Sequence, residues 1–340
     1  MYDVYGLGNA LLDIEYRVDD AFLARHGIAK GHMTLVDEER IIVLAEDLAE
    51  LQPERCSGGS AANTVVAVRG FGGRAFYSCK VADDETGRFF LDDLAEFGID
   101  TNSGAAAPTG RSGRCLVLVT RDAERTMNTF LGVSSALGAS EIDESALSGA
   151  RVFYVEGYVI SSPDGLDAAT TCRQLAEERG VATAVSMSDP SMVTLFRDNL
   201  ETLLGNGVNY LFCNEEEALA WAGSDRLDIA IAELKDVART CNVTLGRHGS
   251  ITVTQGRTLQ VPGYEVTARD TNGAGDMYAG ACLYGWTNGM EAPAAAQFGN
   301  FAAATLVQHY GARLRRLEQY RQVLLAFSQS RPPPLPDAMQ

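Results

Sequence analysis

The residues Asp270-Thr271-Asn272-Gly273-Ala274-Gly275-Asp276 combine two chemistries in one short segment. They follow a strand-like run, Ile251 to Val266, and open an apolar helical run, Met277 to Trp286. A small-residue loop leading into a helix exposes backbone N–H groups at the positive end of the helix dipole, a place for an anion such as a phosphate. A carboxylate at the same spot would repel an anion. Asp276 makes sense there if it takes a proton from a hydroxyl that attacks the phosphate. The pattern implies phosphoryl transfer from a nucleotide to a small alcohol. The plain alternative is a strand-to-helix turn, with Gly273 and Gly275 supplying unusual backbone angles and Asp276 as a helix-start carboxylate.

A second small-residue segment, Ser57-Gly58-Gly59-Ser60-Ala61-Ala62-Asn63, also precedes a helix. Its glycines allow close approach of backbone to a ligand, and the Asn63 amide suits neighbouring hydroxyls. Near the N-terminus, Gly6-Leu7-Gly8-Asn9-Ala10-Leu11-Leu12-Asp13 fails as a dinucleotide fingerprint, because Leu11 stands at the third glycine position. An aspartate such as Asp13 can accept from two vicinal hydroxyls. Asn214-Glu215-Glu216-Glu217 reads as a capping box at a helix start. Thr244-Leu245-Gly246-Arg247-His248-Gly249 reads as a glycine-bounded turn. There is no P-loop and no protein-kinase His-Arg-Asp with Asp-Phe-Gly, so the Asn272–Gly275 amides would carry the charge on the transferred phosphoryl.

Taken together, these segments resemble the ribokinase-like (PfkB-type) carbohydrate and nucleoside kinases. The C-terminal signature of that family, Asp-Thr-x-Gly-Ala-Gly-Asp, stands intact at Asp270–Asp276, and Gly58, Gly59 and Asn63 resemble its N-terminal signature. The Asn272 variant and the Gly-Asn…Leu-Leu-Asp start look most like adenosine kinases. The resemblance implies a ribokinase-like α/β fold and an ATP-dependent transfer to a primary hydroxymethyl, with Asp276 as base. It places the acceptor against Asn9, Asp13, Gly58, Gly59 and Asn63. Tyr158 falls where adenosine kinases put an aromatic against the base. The nucleotide is expected against Asn214, Thr244, Gly246, Arg247 and Gly249. Magnesium is expected near Asn214 and Glu217, largely through water. The main chain around Asp270 and Thr271 resembles the family's monovalent-cation site, which would take K+. Met33 and Thr34 occupy the stretch where base contacts are expected, and they do not match adenosine kinase closely. A free sugar (ribose, fructose or a keto-deoxy sugar acid) is therefore an alternative acceptor, and a non-catalytic sugar- or nucleoside-binding regulator is a further one.

The elements that must position these residues follow from periodicity. After Gly149, strands and helices alternate: strand Val152–Val155 and helix Pro163–Arg179, strand Ala182–Met187 and a helix near Val193–Leu204, strand Tyr210–Cys213 and helix Glu215–Ala222, then helix Asp228–Thr240 before strand Asn242–Leu245. Such alternation means right-handed crossovers and a central, mostly parallel sheet flanked by helices. Earlier, strands are expected at 4–8, 14–18 and 74–81, helices at 37–51, 64–71 and 86–97, and a hairpin around Asp122-Ala123. The segments 13–30 and 111–129 break the alternation and read as a small β-sheet lid. The remainder, 1–12, 31–110 and 130–330, reads as the large α/β domain, with 331–340 a Pro-rich flexible tail. Arg111, Arg114, Arg121 and Arg125 read mainly as a solvated hairpin face.

Composition sets outer bounds. The chain has 340 residues, 45 Asp+Glu against 28 Lys+Arg, and a net charge of −17, which argues against nucleic acid or an anionic membrane as partner. Seven cysteines form no Cys-x-x-Cys and four histidines show no metal spacing, so buried reduced thiols are expected. No signal peptide or membrane-length apolar run is read, and a cytoplasmic location is expected. The partners expected are a small-molecule acceptor and ATP, in a monomer or a homodimer.

Overall fold

A computed structural model describes residues 1–31, 33–102, 109–122 and 124–330. Among these, nine strands form one sheet in the order Arg257–Val261, Ser250–Thr254, Ala238–Thr244, Val208–Asn214, Ala182–Ser186, Ala150–Glu156, Tyr2–Leu7, Ala75–Ser78, Asp100–Thr101. From Ala238–Thr244 onward every neighbouring pair is parallel; the first two strands are antiparallel additions. The run Val152–Val155 of strand Ala150–Glu156 is apolar and buried at every position, as expected for a parallel sheet covered on both sides. Val65, Phe90, Tyr278, Phe298 and Tyr320 belong to the core on one face. Leu147, Cys172, Leu203, Trp221 and Leu234 belong to the core on the other.

One close approach between two helices matters for the site. Helix Ala274–Thr287 is buried along most of its length and packs against helix Ser60–Gly70. A Cβ at Gly280 would lie 2.6 Å from that of Ala67 and 2.7 Å from the Thr64 carbonyl oxygen, so only glycine lets the two helices approach this closely. Both helices begin at the C-terminal edge of the parallel strands, the edge where α/β sheets bind ligands.

A second sheet has the order Met33–Leu35, Arg125–Phe130, Gly113–Val119, Leu11–Arg17, Glu54–Gly58. Its outer face is covered by helices Asp20–Arg25 and Glu38–Asp47 through Leu12, Ile14, Phe22, Leu44 and Leu116. The expected hairpin is present, Val119 pairing with Arg125; Ala123 of its turn lies outside the described residues.

Several boundaries differ from the sequence reading. Segment 13–30 is a strand followed by a helix. The sequence reading puts Met33–Leu35 and Glu54–Gly58 in the large domain, whereas the hydrogen-bond ladders put them in the small sheet. The run 251–266 is a hairpin: Gln255 and Gly256 both have positive φ, the signature of a tight two-residue turn, and 262–273 then forms the approach to the loop. The helix near Val193–Leu204 is two helices, Pro190–Leu195 and Arg197–Leu204, meeting at Phe196. Helix Leu227–Val237 ends earlier than expected and the next strand starts at Ala238. The Pro-rich tail 331–340 lies outside the described residues. Among the described residues, no helix is long and apolar enough to cross a membrane, and all seven cysteines are free thiols.

Candidate active site

A cavity of about 360 Å³ opens between the strand ends and the inner face of the small sheet. Asn9, Glu156, Ser186, Asn214 and Thr244, which line it, stand at or just past the ends of five adjacent parallel strands. Asp13, Gly59 and Asn63 line the same cavity, as do Tyr158, Glu217 and the continuous loop Thr271–Asp276. Gly58, Gly246, Arg247, Gly249 and Asp270 do not line it. Gly246–His248 is an exposed helical turn in the hairpin connection after Thr244, so of that segment Thr244 alone reaches the cavity.

Asp276 sits in the first turn of its helix, and both of its oxygens are fixed. The Ser60 hydroxyl donates to Oδ1 at 2.7 Å and the Asn63 amide donates to Oδ2 at 3.0 Å. Burial raises its pKa to about 6 despite those two bonds. This leaves a carboxylate with spare lone pairs facing the cavity and a proton affinity suited to neutral pH.

The two glycines of the loop play different parts. Gly273 has φ +72°, and a Cβ there would collide with the Ala312 carbonyl, so the fold itself requires glycine. Gly275 has no such demand: a Cβ would meet nothing within 4 Å. Its bare backbone faces open space in the cavity, which is what close approach of a ligand needs. Of the Asn272–Gly275 amides expected to face an anion, two are already engaged. Asn272 N–H donates to Asp270 Oδ1 at 3.0 Å and Ala274 N–H donates to the Thr271 carbonyl at 3.2 Å. The expectation of anion binding narrows to the Gly273 and Gly275 amides and the helix start itself.

At the other end of the cavity, Asp13 lies on strand Leu11–Arg17 directly across from Cys56 and Cys115. Its pKa is raised to about 7 by burial, with Arg313 and Arg125 opposing the shift. A Cβ at Gly58 would strike the Asp13 carboxylate, so that glycine makes room for the acid rather than for a ligand. Gly59 has φ +96° and lies against the Asn9 carbonyl. Asn9 accepts from the Ser134 hydroxyl through Oδ1 at 3.2 Å.

Sequence reasoning missed Glu156. It is 1% exposed, lines the cavity, and accepts from Asn9 N–H at 2.7 Å and Ala61 N–H at 2.5 Å. It therefore ties the strand end at Asn9 to the start of helix Ser60–Gly70, where a carboxylate is also favoured by the helix dipole. Burial raises its pKa to about 7. Its signal in the sequence is a lone acid closing an apolar strand, Ala150–Glu156. Ser60, inside the second glycine segment, was missed as a partner of Asp276. Tyr158 reaches the cavity with its hydroxyl donating to the Ser188 carbonyl at 3.3 Å.

Asn214 and Glu217 form the capping box expected of them. Glu217 N–H donates to Asn214 Oδ1 at 2.8 Å, Asn214 N–H donates to Glu217 Oε2 at 3.1 Å, and the Asn214 side-chain amide donates to Oε1 at 2.7 Å. Burial raises the Glu217 pKa to about 7, and neighbouring Asp189, Glu216 and Asp276 push it the same way. Asp270 is elsewhere: it is buried beneath the loop and paired with Arg125 at 2.6 Å. The expectation of a solvated hairpin face thus fails for Arg125, which is nearly enclosed. It holds better for Arg111, half-exposed and paired with Glu38. Among the described residues, no group of three metal-ligating side chains is close enough to hold an ion.

One property of the whole cavity stands out. Five carboxylates line it (Asp13, Glu156, Asp189, Glu217 and Asp276), and among the described lining residues there is no lysine, arginine or histidine. Its floor is polar at Asn9, Asp13 and Asn63, and its roof on the small sheet is apolar at Met33, Leu35, Met127 and Leu131.

A helix-start anion loop with a fixed carboxylate, at the C-terminal edge of a parallel sheet and roofed by a second sheet, defines a phosphotransferase with an alcohol acceptor. The model of the pfkB family carbohydrate kinases matches residues 27–319, and the chain belongs to that family of carbohydrate and nucleoside kinases. It is similar to the adenosine kinase of Sinorhizobium meliloti, with a TM-score of 0.87 and 34% identity, covering 96% of this chain and 99% of that one. It is 26% identical over 328 residues to the adenosine kinase of Saccharomyces cerevisiae, covering 90% of this chain and 94% of the relative. It is 30% identical over 270 residues to an ATP-dependent ribose-1-phosphate kinase of Halopiger xanaduensis, covering 79% of this chain and 86% of the relative.

Proposed function

We propose that this kinase transfers the γ-phosphate of ATP to the primary hydroxymethyl of an uncharged nucleoside, adenosine first. The observation that carries the reading is the cavity with five carboxylates and no cationic side chain among its described lining, polar on the floor and apolar on the roof. An acceptor that already bears a phosphate or a carboxylate would add charge beside Asp189, Glu217 and Asp276, which have no cationic side chain in the described lining. This disfavours ribose 1-phosphate, the acceptor of one relative, and the keto-deoxy sugar acids. A bare polyol would leave the apolar roof of Met33, Leu35, Met127 and Leu131 without a partner, whereas a purine ring supplies one.

In this reading Asn9, Asp13 and Asn63 hold the ribose hydroxyls, and Tyr158 lies against the base. ATP lies toward Asn214 and Thr244, with its γ-phosphate at the start of helix Ala274–Thr287. Asp276 takes the proton of the hydroxymethyl as its oxygen attacks the phosphorus. ADP leaves on the opposite side. The Gly273 and Gly275 amides accept the charge that spreads over the equatorial oxygens. The donor set fits magnesium: carboxylates of Asp189, Glu217 and Asp276 face one cavity without cationic partners, and none is gathered tightly enough to displace the ion's own waters. When bound, the ion would neutralise phosphate charge; Glu217 and Asp189 would hold it through water.

The test compares kcat/KM for adenosine, ribose, ribose 1-phosphate and a keto-deoxy sugar acid under identical conditions. Adenosine is expected to exceed the charged acceptors by at least about 10³-fold, the discrimination expected when an unpaired charge must be buried. Preference for ribose 1-phosphate would overturn the charge argument. Preference for free ribose would keep the chemistry and move the acceptor class.

A further inference from the structure

The family resemblance places a monovalent cation around Asp270 and Thr271, and the Asp270 carboxylate has no open oxygen to offer one. The Asp270 carboxylate is already satisfied. Oδ1 accepts from Asn272 N–H at 3.0 Å, and Oδ2 accepts from Gly311 N–H at 2.6 Å. The Arg125 guanidinium lies 2.6 Å from the same Oδ2, with the Asp270 side chain 2% and the Arg125 side chain 11% exposed. Arg125 also donates to Glu15 Oε2 at 2.9 Å. A free cation at this carboxylate would meet the repulsion of a fixed like charge.

The surrounding seam is balanced as well. Asp13, Glu15 and Glu54 face Arg55, Arg125 and Arg315 across a gap of about 20 Å³, room for about one water. Arg125 belongs to the small sheet and Asp270 to the loop that ends in Asp276. The Asn272 amide hangs on Asp270, and Gly273 packs on Ala312 beside Gly311.

We propose that Arg125 positions the phosphate loop through Asp270, standing as an internal cation where the family resemblance calls for a monovalent ion. It is a positioning residue, since it touches Asp270 and not the reacting atoms. The consequence is that turnover does not need K+, and that the loop is ordered only when the small sheet is in place. The kinetic arm of the test rests on the proposed acceptor; a second arm does not.

The kinetic arm measures turnover with adenosine in potassium, sodium and tetramethylammonium chloride at equal ionic strength. Wild-type rates are expected to agree within about twofold. Arg125→Gln is expected to lose about 10²-fold in kcat, the scale of a slightly displaced loop, with the acceptor KM moving less than about threefold. Millimolar guanidinium or K+ is expected to restore part of that loss, and Arg125→Lys to lose less than Arg125→Gln. Activation of the wild type by K+ of tenfold or more, or an unchanged kcat in Arg125→Gln, would overturn the proposal. The second arm is amide hydrogen exchange of segment 270–275 in the ligand-free protein. Exchange is expected to be equal in potassium and tetramethylammonium for the wild type and faster in Arg125→Gln, or in Arg125→Lys if the glutamine variant does not fold. Protection that depends on K+ in the wild type, or exchange unaltered in the variants, would overturn the role of Arg125 even if adenosine proves not to be the acceptor.

Discussion

The two glycines of the phosphate loop allow binding to be separated from folding. Gly275 has ordinary backbone angles and empty space around the position of a Cβ, so Gly275→Ala should fold. Replacing glycine in a helical turn contributes about 0.5–1 kcal/mol of stability. In a chain of this length that is a rise of about 0.7–1.4 °C in Tm. Yet in the proposed mechanism the new methyl stands where a phosphoryl oxygen approaches the Gly275 amide. Losing one such donor costs about 2.7–4 kcal/mol in the transition state, or about 10²–10³ in kcat. The paired control is Gly273→Ala. There φ is +72° and the methyl meets the Ala312 carbonyl. The left-handed angle alone costs about 1–2 kcal/mol, and the collision adds to it. The assay is a thermal melt and steady-state kinetics on both variants, with ATP and acceptor varied separately. The expected outcome is a crossed result: Gly275→Ala stable and slow, Gly273→Ala unstable. If Gly275→Ala were as active as the wild type with its Tm raised, the loop would be a turn and not an anion site.

Three further outcomes are expected. With the Asp276 pKa raised to about 6, log kcat/KM should climb with unit slope below about pH 6 and flatten above it, because the proposed base acts in its ionised form. Asp276→Asn should lose about 10²–10⁴-fold and show no such climb. Asp13, Glu156 and Glu217 have pKa values raised to about 7, and Asp276 to about 6, all chiefly by burial. The folded protein therefore binds more protons than the unfolded chain, whose carboxylates titrate near 4. The stability these groups contribute is full below about pH 4 and is lost as pH rises through about 7. The ligand-free Tm should fall between pH 5 and pH 8, and still fall in about 0.5 M salt, where surface repulsion is screened; a Tm that rises across this window contradicts the assignment. Glu156→Gln leaves an NH2 group facing one of two backbone N–H donors, so it should cost about 1–3 kcal/mol, read by denaturant unfolding. A variant as stable as the wild type would show that Glu156 does not tie Asn9 to Ala61.

The site was legible where chemistry lies in one segment. Asp270–Asp276 and Asn214–Glu217 announce a helix start by composition alone, and both begin helices where expected. What escaped were partners brought together by the sheet. Glu156 meets Ala61 across 95 residues and Ser60 meets Asp276 across 216. Arg125 looked like any hairpin arginine because its partner Asp270 is also far away in sequence. Glu54–Gly58 carries no apolar alternation because it is an edge strand whose first two residues are in solvent. The break at Phe196 contains neither glycine nor proline, so periodicity ran through it. The hairpin at Gln255-Gly256 was passed over because Val253 and Leu259 continue the apolar pattern on either side.

The central claim is that Asp276 and the Gly273–Gly275 loop move a phosphoryl group from ATP to the hydroxymethyl of an uncharged nucleoside. Phosphorus NMR of a reaction holding ATP, magnesium and adenosine tests it most directly. The account predicts ADP and one phosphomonoester, coupled to the two protons of the 5′ carbon, appearing in equal amounts, with both forming about 10²–10⁴-fold more slowly for Asp276→Asn. ADP accompanied only by inorganic phosphate, or a phosphoester at a ring hydroxyl, would contradict it.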